Sequence, residues 1–584
     1  MISVLCALAL SAAAKPGAAK PSAAKPIAQV ESYLPSQVQA GQKAYGLTVF
    51  VGDKVERFEL VLLGVLENFL GPQQDLVIAK LADPKLEKAG VVAGMSGSPI
   101  YVDGKLIGAL GYALGSFMTE GICGITPIAS MREVRDLPKI DPFALTQNGP
   151  RVSAFGGESI RPIAAPLAMA GVDPMIAQQY AAKFEALGFV TAPSGSGGKK
   201  ASKPLEPGAS VAAELVGGDI SIAATGTVTT VDGDRVLAFG HPFMGIGPAS
   251  FPMTASQIIT IIPSLQRSFK LGQTEEVIGS FTQDRLTAIA GQIGLKADTV
   301  SVTVEVHGEP ENSTHTYHYR LARDPKLTPD LIQLVLANSF QRRNEAGLFG
   351  SAAVDTQYLL EDGTTLAWHS RIAMDRDQSL PTVAAMSVAQ PAQILWHNDF
   401  GPPLLHAISV KATLSREVKG LNVETIGVRP NGYAPGETIQ VHLGTRSPGN
   451  GGLTFRDVPF TLPRGLEAGD YELTVGGAGE ANGIEIHTGG FLRPLTAKAL
   501  VAALAHIRPD GPLYLMLSGP GGSLRVGEAL VINPPLTFLQ QAGPREGDGR
   551  AQQTNQAIFA EKSVDLGAFV LGGAQTTVRV REKE

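Results

Sequence analysis

Residues 92–114 read VAGMSGSPIYVDGKLIGALGYAL and join a glycine-rich turn to a β-hairpin. Alternating apolar residues flank Asp103 and Gly104, and Asp-Gly is a preferred two-residue hairpin turn. The segment in front of the hairpin holds Ser96 and Ser98 among glycines. Such a segment is either a plain surface turn or a strained support for a nucleophilic serine, and the rest of the chain has to distinguish the two.

Composition limits the class of protein. The chain has 584 residues, which predicts several domains, and its 67 glycines and 40 prolines favour a β-rich chain with many turns. A formal net charge of −6 argues against a nucleic-acid partner, which usually requires a basic face. Because no run of about 18 apolar residues occurs, we expect no transmembrane helix.

Strand patterns recur along most of the chain and predict a mainly β fold. Helical patterns are confined to a segment before residue 204, a mainly helical stretch after residue 322 and one C-terminal helix. The predicted divisions are a signal and low-complexity linker (1–30), a first β unit (31–148), a helical insertion with a Gly/Ser/Lys loop (149–204), a second β unit (205–322), a mainly helical segment (323–403), an immunoglobulin-like β-sandwich (404–490) and a mixed α+β region (491–584).

The N-terminal segment predicts export. A short apolar run, 4–10, precedes Ala12, Ala13 and Ala14, which fit a small-residue cleavage site, and AAKP copies follow as a low-complexity linker. We therefore expect a periplasmic or extracellular protein. Cys6 lies in this segment, so its removal leaves Cys123 without an internal disulfide partner.

Catalysis by Ser96 would need an exposed hydroxyl and nearby backbone N–H groups that bind the developing oxyanion. A glycine two residues before the serine lets the chain turn so that its N–H points into the same hole, and a glycine after the serine keeps the approach uncrowded. Ser98 is the nearest rival for the nucleophile. We favour Ser96 because it holds the serine position of a Gly-x-Ser-Gly pattern.

A serine nucleophile also requires a base and a group that orients this base. Among ten histidines, His241 lies at the end of a predicted strand, after a glycine and before a proline, in a setting suited to a general base. Asp83 precedes Ser96 by 13 residues and is a candidate orienting acid, with Asp284 as a weaker competitor. Local patterns alone also allow ordinary capping and turn roles for His241 and Asp83.

Two segments, LADPKLEKAGVVAGMSGSPIYVDGKLIGALGYAL and TGTVTTVDGDRVLAFGHPF, together resemble the signature halves of the SpoIVB peptidase family. The resemblance covers about residues 35–135 and 205–305 and implies a trypsin-like double β-barrel whose halves are the two β units. It implies Ser96 as nucleophile, His241 as general base and Asp83 as orienting acid. It further implies an oxyanion hole formed by the N–H groups of Gly94 and Ser96.

The chain departs from the family pattern in two respects. In the family the histidine half precedes the serine half, whereas Ser96 here precedes His241. We interpret this reversal as a circular permutation, which a triad tolerates because it is defined by geometry. The sequence also lacks a recognisable PDZ module ahead of the peptidase. A binding role for the 404–490 sandwich, with a cell-envelope partner, is a hypothesis from position and composition.

Three functions remain open at this point. The first is an exported serine endopeptidase of SpoIVB type that cleaves peptide bonds in a protein or peptide substrate, either in itself or in one partner. The second is a non-catalytic cell-envelope binding or scaffold protein on a peptidase-like fold. The third is an esterase that uses the same triad. No metal site and no cofactor is expected, because the histidine, cysteine and carboxylate spacings match no metal or phosphate motif.

Overall fold

A computed structural model of the protein describes residues 31–582 with several gaps. The predicted signal and linker, and most of the Gly/Ser/Lys loop, lie outside the described residues. Strands make up 53% and helices 17%, so the predicted mainly β class is confirmed. The gaps are 116–119, 139, 141–159, 196–202, 310–311, 342–349, 375–378, 449–450, 489–493, 527–528, 533–534, 536 and 538–550.

The first sheet closes on itself. Six of its strands follow the order β4-β1-β2-β3-β6-β5, and β4 pairs with β5, so the ring of pairings is complete; we call it the first barrel. Asp103 and Gly104 both have positive φ (50° and 81°), as the predicted Asp-Gly turn between β4 and β5 requires. The strands are β1 (Lys43–Val49), β2 (Val55–Gly71), β3 (Gln74–Leu81), β4 (Pro99–Val102), β5 (Lys105–Leu114), β6 (Ile122–Pro127) and β7 (Ile160–Pro162), which extends from β5.

A second ring forms within a sheet of thirteen strands. The order β10-β13-β14-β15-β12-β11 is closed by pairing of β10 with β11, and we call this ring the second barrel. Its strands are β10 (Ser210–Gly218), β11 (Ser221–Asp232), β12 (Arg235–Ala238), β13 (Gly247–Ile262), β14 (Phe269–Arg285) and β15 (Ala288–Ile293). Strands β8 (Ala165–Ala170) and β9 (Phe189–Pro193) extend from β11, with helix α2 (Pro174–Ala186) between them.

The two barrels share an apolar interface. One buried cluster takes side chains from β4 and β5 of the first barrel, from helix α1 (Ile128–Arg135), and from β12 and β15 of the second. Burial of this surface is a favourable contact between the barrels. The cluster contains Tyr101, Leu106, Ala109, Ile128, Met131, Val134, Leu237, Ala288 and Ala290.

The segment 323–403 differs from the predicted mainly helical stretch. Helices α3 (Thr328–Gln341) and α4 (Leu380–Trp396) are present, but a β-hairpin of β18 (Gly350–Leu360) and β19 (Thr365–Met374) lies between them. The hairpin joins the thirteen-stranded sheet through β20 (Leu405–Ser415), β16 (Thr299–Glu309) and β17 (Ser313–Ala322). Pairing with these distant strands, which local patterns do not report, stabilises β18 and β19 as strands.

The sandwich also has different boundaries from those predicted. Strand β20 belongs to the large sheet, and the sandwich includes strands of the predicted region 491–584, which pair with β24 (Gly469–Gly476). Helices α5 (Ala478–His487) and α6 (Ala497–His506) lie between its strands along the chain. One sheet contains β21 (Gly420–Gly427), β22 (Thr438–Arg446), β23 (Thr454–Thr461) and β28 (Phe569–Leu571). The other contains β24, β25 (Leu513–Val526), β26 (Ala529–Ile532), β27 (Ala551–Val564) and β29 (Gly573–Val580).

Within the described ranges, none of the helices has both the length and the apolar character needed to cross a membrane.

The close approach of the barrels at Gly97 predicts a large loss of stability for Gly97→Ala. A Cβ there would lie 1.9 Å from the Thr227 carbonyl oxygen and 2.4 Å from the Phe239 nitrogen, at a φ of +96°. We expect a loss of about 3 kcal/mol or more in the free energy of unfolding, measured by urea denaturation of the full chain.

Gly188→Ala is the matched control, because Gly188 has a φ of +92° but nothing within 4 Å of a Cβ. This variant carries the backbone strain without the clash and should lose only about 1 kcal/mol. Equal losses for the two variants would mean that the barrels do not approach each other at Gly97.

Candidate active site

The segment around Ser96, residues 94–98, forms a turn in front of β4, which we call the serine turn. Gly94 and Gly97 have φ values of +94° and +96°, in the region that favours glycine. The Met95 N–H donates to the Val92 carbonyl and the Ser98 N–H donates to the Met95 carbonyl, each at 3.0 Å. Successive tight hydrogen bonds and two left-handed glycines therefore hold Ser96 on a sharply bent backbone, as the glycine spacing predicts.

Two backbone N–H groups of this turn have no acceptor. The Lys270 N–H donates to the Ala93 carbonyl at 3.0 Å, and the Ser98 N–H occupies the Met95 carbonyl. Because the N–H and C=O of a trans peptide point in opposite directions, these bonds direct the Gly94 and Ser96 N–H groups away from the turn. Neither group donates a hydrogen bond to any part of the chain that the structure describes. They are the two donors implied for the oxyanion hole.

Strand β11 of the second barrel binds the other side of the serine turn. The Thr227 N–H donates to the Ser96 carbonyl at 2.8 Å, and the Thr227 hydroxyl donates to the Gly94 carbonyl at 2.9 Å. The Thr229 hydroxyl donates to the Gly97 carbonyl at 2.7 Å. Thr227 and Thr229 lie two residues apart and so face the same side of the strand. Three carbonyls of the serine turn are thus fixed by one strand of the other barrel.

Lys270 on β14 supports this contact and was missed by the sequence analysis. Its side chain is fully buried, with Nζ 2.7 Å from the Thr48 hydroxyl and 3.4 Å from the Thr227 hydroxyl. It forms no ion pair within the described residues, and burial lowers its pKa to about 7. By donating to the Thr227 oxygen, Lys270 directs the Thr227 proton toward the Gly94 carbonyl.

His241 lies in a second strained turn, residues 239–242, which we call the histidine turn. Phe239 has a φ of +69°, which is rare for an aromatic residue, and Gly240 has +67°. The His241 Nδ1 lies 2.7 Å from the Pro242 carbonyl, which can only accept, so Nδ1 carries the proton and Nε2 keeps its lone pair. Burial lowers the pKa of His241 to about 4, which leaves the ring neutral at pH 7. Nε2 is buried and has no hydrogen-bond partner among the residues that the structure describes.

The serine and histidine turns contact each other across the barrel interface. A Cβ at Gly97 would collide with Phe239, and a Cβ at Gly111 would lie 2.3 Å from the Gly240 carbonyl oxygen. The Thr126 hydroxyl of the first barrel donates to the same Gly240 oxygen at 2.5 Å. The structure therefore brings together two regions that lie about 145 positions apart, as the resemblance implies.

Ser96 and His241 lie on two turns that contact each other at Gly97 and Phe239, and their side chains are not hydrogen-bonded in the described structure. The Ser96 Oγ and the His241 Nε2 are both buried, and neither has a hydrogen-bond partner in the described structure. Buried polar atoms usually have a partner, so two such atoms on contacting turns are exceptional. Catalytic hydrogen bonds are often long without substrate and shorten when it binds.

Ser98, the rival nucleophile, has a different backbone environment. Its Oγ is also buried and without a partner. Its N–H, however, donates to the Met95 carbonyl, and its carbonyl accepts from the Leu110 N–H. Ser98 therefore has no free N–H of its own to bind an oxyanion, whereas Ser96 does. This difference favours Ser96 as the nucleophile.

Asp83 does not contact His241 in this structure. Its Oδ1 accepts a hydrogen bond from the Lys85 N–H at 2.8 Å and caps the short 3₁₀ turn Pro84–Leu86. This is the capping role that an Asp-Pro pair also suggests. The His241 Nδ1 is bound by the Pro242 carbonyl instead. The role of Asp83 as orienting acid therefore stays a prediction from the resemblance.

Asp284 holds the loop that follows His241. The carboxylate is fully buried and accepts hydrogen bonds from the N–H groups of Phe243 and Met244 at 2.7 Å and from that of Ile246 at 3.4 Å. Burial raises the pKa of Asp284 to about 6, against the opposing effect of these backbone donors. Asp284, which the sequence left as a weak competitor, thus acts on the backbone beside His241 and not on the imidazole.

Comparison with known proteins agrees with the resemblance in the N-terminal part. Residues 17–126 match the family model of the SpoIVB peptidase S55, a serine peptidase family, which confirms the predicted resemblance for this segment. The matched residues include Asp83, Gly94 and Ser96 but not His241. No curated protein and no solved structure matches the chain. In the described part of the chain, no three metal-ligating side chains form a cluster.

The environment of His241 predicts its titration. We expect histidine-labelled protein to show, in long-range proton–nitrogen NMR spectra, a His241 ring that is protonated on Nδ1 and has a pKa of about 4. Because this folded pKa is below the unfolded value of 6.5, the stability associated with neutral His241 is complete above pH 6.5 and is lost as the pH falls through 4.

His241→Gln assigns the signal by its disappearance. A His241 pKa near 6.5, or a proton on Nε2 at pH 7, would contradict the described geometry.

Proposed function

We propose that the protein is an exported serine endopeptidase in which Ser96 is the nucleophile and His241 the general base. One observation carries the proposal: the buried Ser96 turn presents two unpaired N–H groups and contacts the turn that bears the unpaired His241 Nε2. The match to a serine peptidase family supports the reaction class, and it implies a protein or peptide substrate.

The proposed reaction follows from these groups. The Ser96 Oγ forms a bond to the carbonyl carbon of the peptide while the His241 Nε2 takes the hydroxyl proton. The N–H groups of Gly94 and Ser96 bind the negative oxygen of the tetrahedral intermediate. The C–N bond then breaks as His241 returns the proton to the leaving amine. Water attacks the acyl-enzyme by the reverse use of the same groups and releases the second product.

The Pro242 carbonyl has a defined part in this proposal. It accepts the Nδ1 proton of His241 at 2.7 Å and so selects the tautomer whose Nε2 can act as a base. Its partial negative charge also stabilises the imidazolium that forms during the reaction. The resemblance implies that Asp83 orients His241, and this role requires the His241 Nδ1–H to exchange the Pro242 carbonyl for the Asp83 carboxylate. Asp284 supports the histidine turn through its backbone bonds.

The architecture supports a trypsin-like double β-barrel in reversed chain order. Each ring has six strands, and the two turns meet where the rings contact each other. Chain order does not decide whether a triad forms, because the same constellation occurs in different orders. The proposal includes export, which rests on the predicted signal and linker in segment 1–30. It also includes a cell-envelope partner that binds segment 404–490.

A non-catalytic scaffold is the second candidate, and one observation favours it. Ser96 is fully buried, His241 is only 3% exposed, and their side chains do not form a hydrogen bond. A peptide can therefore reach Ser96 only after the residues that cover it have moved. An enzyme that acts on itself or on one partner is compatible with such restricted access, and a generic substrate would be a poor test. The test has to address the Ser96 hydroxyl directly.

A fluorophosphonate probe addresses this hydroxyl. We expect covalent labelling at Ser96, located by mass spectrometry of the digested full chain. Labelling should disappear in Ser96→Ala and persist in Ser98→Ala, because only Ser96 has a free N–H beside its own hydroxyl. His241→Gln should slow labelling by about 100-fold or more, since it removes the base.

Two aspartate variants test the proposed roles of Asp83 and Asp284, the first by the labelling rate and the second by the free energy of unfolding. Asp83→Asn should slow labelling by about 100-fold with little change in stability if Asp83 orients the imidazole. Asp284→Asn should instead lower the free energy of unfolding by about 1–3 kcal/mol, because an amide cannot accept all the backbone bonds of a carboxylate. A folded wild-type protein that is not labelled, or is labelled only at Ser98, would refute the assignment of Ser96.

A further inference from the structure

A cavity of about 180 Å³ lies beside the approach to the serine turn. One wall is formed by residues 87–91 and Ala93, which lead into the turn. The opposite walls are the ends of β5, β6 and β7, with residues 264–268, which connect β13 to β14. The serine and histidine turns themselves do not line it, so it is distinct from the site of bond cleavage.

Two arginines converge on this cavity. Arg161 lies on β7 and Arg267 on the β13–β14 connection, and both side chains are half-buried. Burial, followed by the positive charge of Arg161, lowers the pKa of Arg267, whereas Glu185 acts in the opposite direction. Both arginines line the same cavity, and their like charges disfavour each other. Such an arrangement costs free energy unless an anion lies between them.

The Glu185 carboxylate favours the charged form of Arg267 without forming an ion pair with it in the described part of the chain. Within the described residues, neither Arg161 nor Arg267 forms an ion pair or a side-chain hydrogen bond. The acidic residues of the cavity wall are Glu87 and Glu120, and Glu120 is bound to Lys80 at 2.5 Å. Lys88 adds a third positive charge to the wall. The cavity thus has an excess of positive charge and two guanidinium groups with free donors.

The position of the cavity links it to the proposed reaction. Ala93 lines the cavity, and its N–H and carbonyl are bound by the Ser268 carbonyl and the Lys270 N–H, next to Arg267. Ala93 precedes Ser96 by only three positions. At about 3.3 Å per extended residue, a bound peptide with its scissile bond at Ser96 can reach the cavity with a group a few residues away.

We propose that this cavity binds a carboxylate of the peptide substrate through Arg161 and Arg267. Planar guanidinium groups bind carboxylates through paired, charge-assisted hydrogen bonds, and an anion would remove the repulsion between the two arginines. The carboxylate is either an acidic side chain or the C-terminus of the peptide. The proposal rests on the proposed peptidase function for its choice of a peptide ligand, and it adds a substrate class: peptides with a carboxylate near the cleaved bond.

The test is a binding measurement with the full-length Ser96→Ala variant, which prevents turnover. Four fluorescein-labelled peptides are compared by fluorescence anisotropy. Hexaalanine with a free C-terminus is compared with its C-terminal amide, and an amidated hexapeptide with one central glutamate is compared with the same peptide containing glutamine. We expect at least one carboxylate peptide to bind about tenfold or more tightly than its neutral match. The pair that shows the difference identifies the source of the carboxylate.

Substitutions in the same background connect the preference to the cavity. Arg267→Gln and Arg161→Gln should each reduce the affinity for the carboxylate peptide to nearly that of the neutral one. Arg464→Gln is the matched control, because it removes the same charge from an exposed position of the sandwich and should leave the preference intact. Equal affinities within both peptide pairs, no measurable binding of a carboxylate peptide, or an unchanged preference in Arg267→Gln would overturn the proposal.

The results that test the carboxylate site can be distinguished from those that test Ser96 as the nucleophile of a peptidase. Fluorophosphonate labelling of Ser96 without carboxylate preference would leave the peptidase proposal standing and remove the carboxylate site. Carboxylate preference that depends on Arg267, in a protein whose Ser96 is never labelled, would support a peptide-binding protein without catalysis.

Discussion

The approach of the serine turn to strand β11 is the contact on which the site depends. Thr227 and Thr229 bind the carbonyls of Gly94, Ser96 and Gly97, and the absence of a side chain at Gly97 lets the backbones meet. The free N–H groups of Gly94 and Ser96 are oriented by the neighbouring carbonyls of Ala93 and Met95, which accept from the Lys270 and Ser98 N–H groups. The contact with β11 also joins the two barrels and brings the histidine turn next to Ser96. Fold assembly and site geometry therefore have a common cause.

Several polar and charged side chains are buried near the interface between the two barrels, where apolar side chains would cost less free energy. Lys270, Thr48 and Thr227 are buried together, and Asp284 is buried beneath the histidine turn. Buried charges without an oppositely charged partner are costly, and burial accordingly shifts the pKa of Lys270 and of Asp284 toward the neutral forms. Natural proteins tolerate such costs mainly at functional sites. Here the buried groups support the Gly94 carbonyl of the serine turn and the backbone N–H groups that follow the histidine turn.

Local patterns predicted the elements of this site better than its connections. Asp103 and Gly104 form the expected hairpin turn, because turn chemistry is encoded by adjacent residues. The contact between the serine and histidine turns is a long-range one that no local pattern encodes. Lys270 was not predicted. The inward face of β14 carries Lys270, Gly272 and Thr274, and such a polar pattern is typical of a strand face that is exposed to solvent. The β18–β19 hairpin and the C-terminal strands of the sandwich depend on pairing with distant strands, which local alternation does not specify. Asp83 has a local cap in place of a contact with His241, and sequence spacing could not decide between them.

The central claim is that Ser96, the N–H groups of Gly94 and Ser96, and the His241 Nε2 surround one reacting atom. A crystal structure of the full chain after reaction with a peptidyl phosphonate would test this arrangement directly. We expect a phosphorus–Oγ bond at Ser96, one phosphonyl oxygen about 2.7–3.1 Å from both backbone nitrogens, and the His241 Nε2 within hydrogen-bond distance of the adduct. An adduct whose oxygen faces away from these nitrogens, or whose nearest base is not His241, would contradict the account.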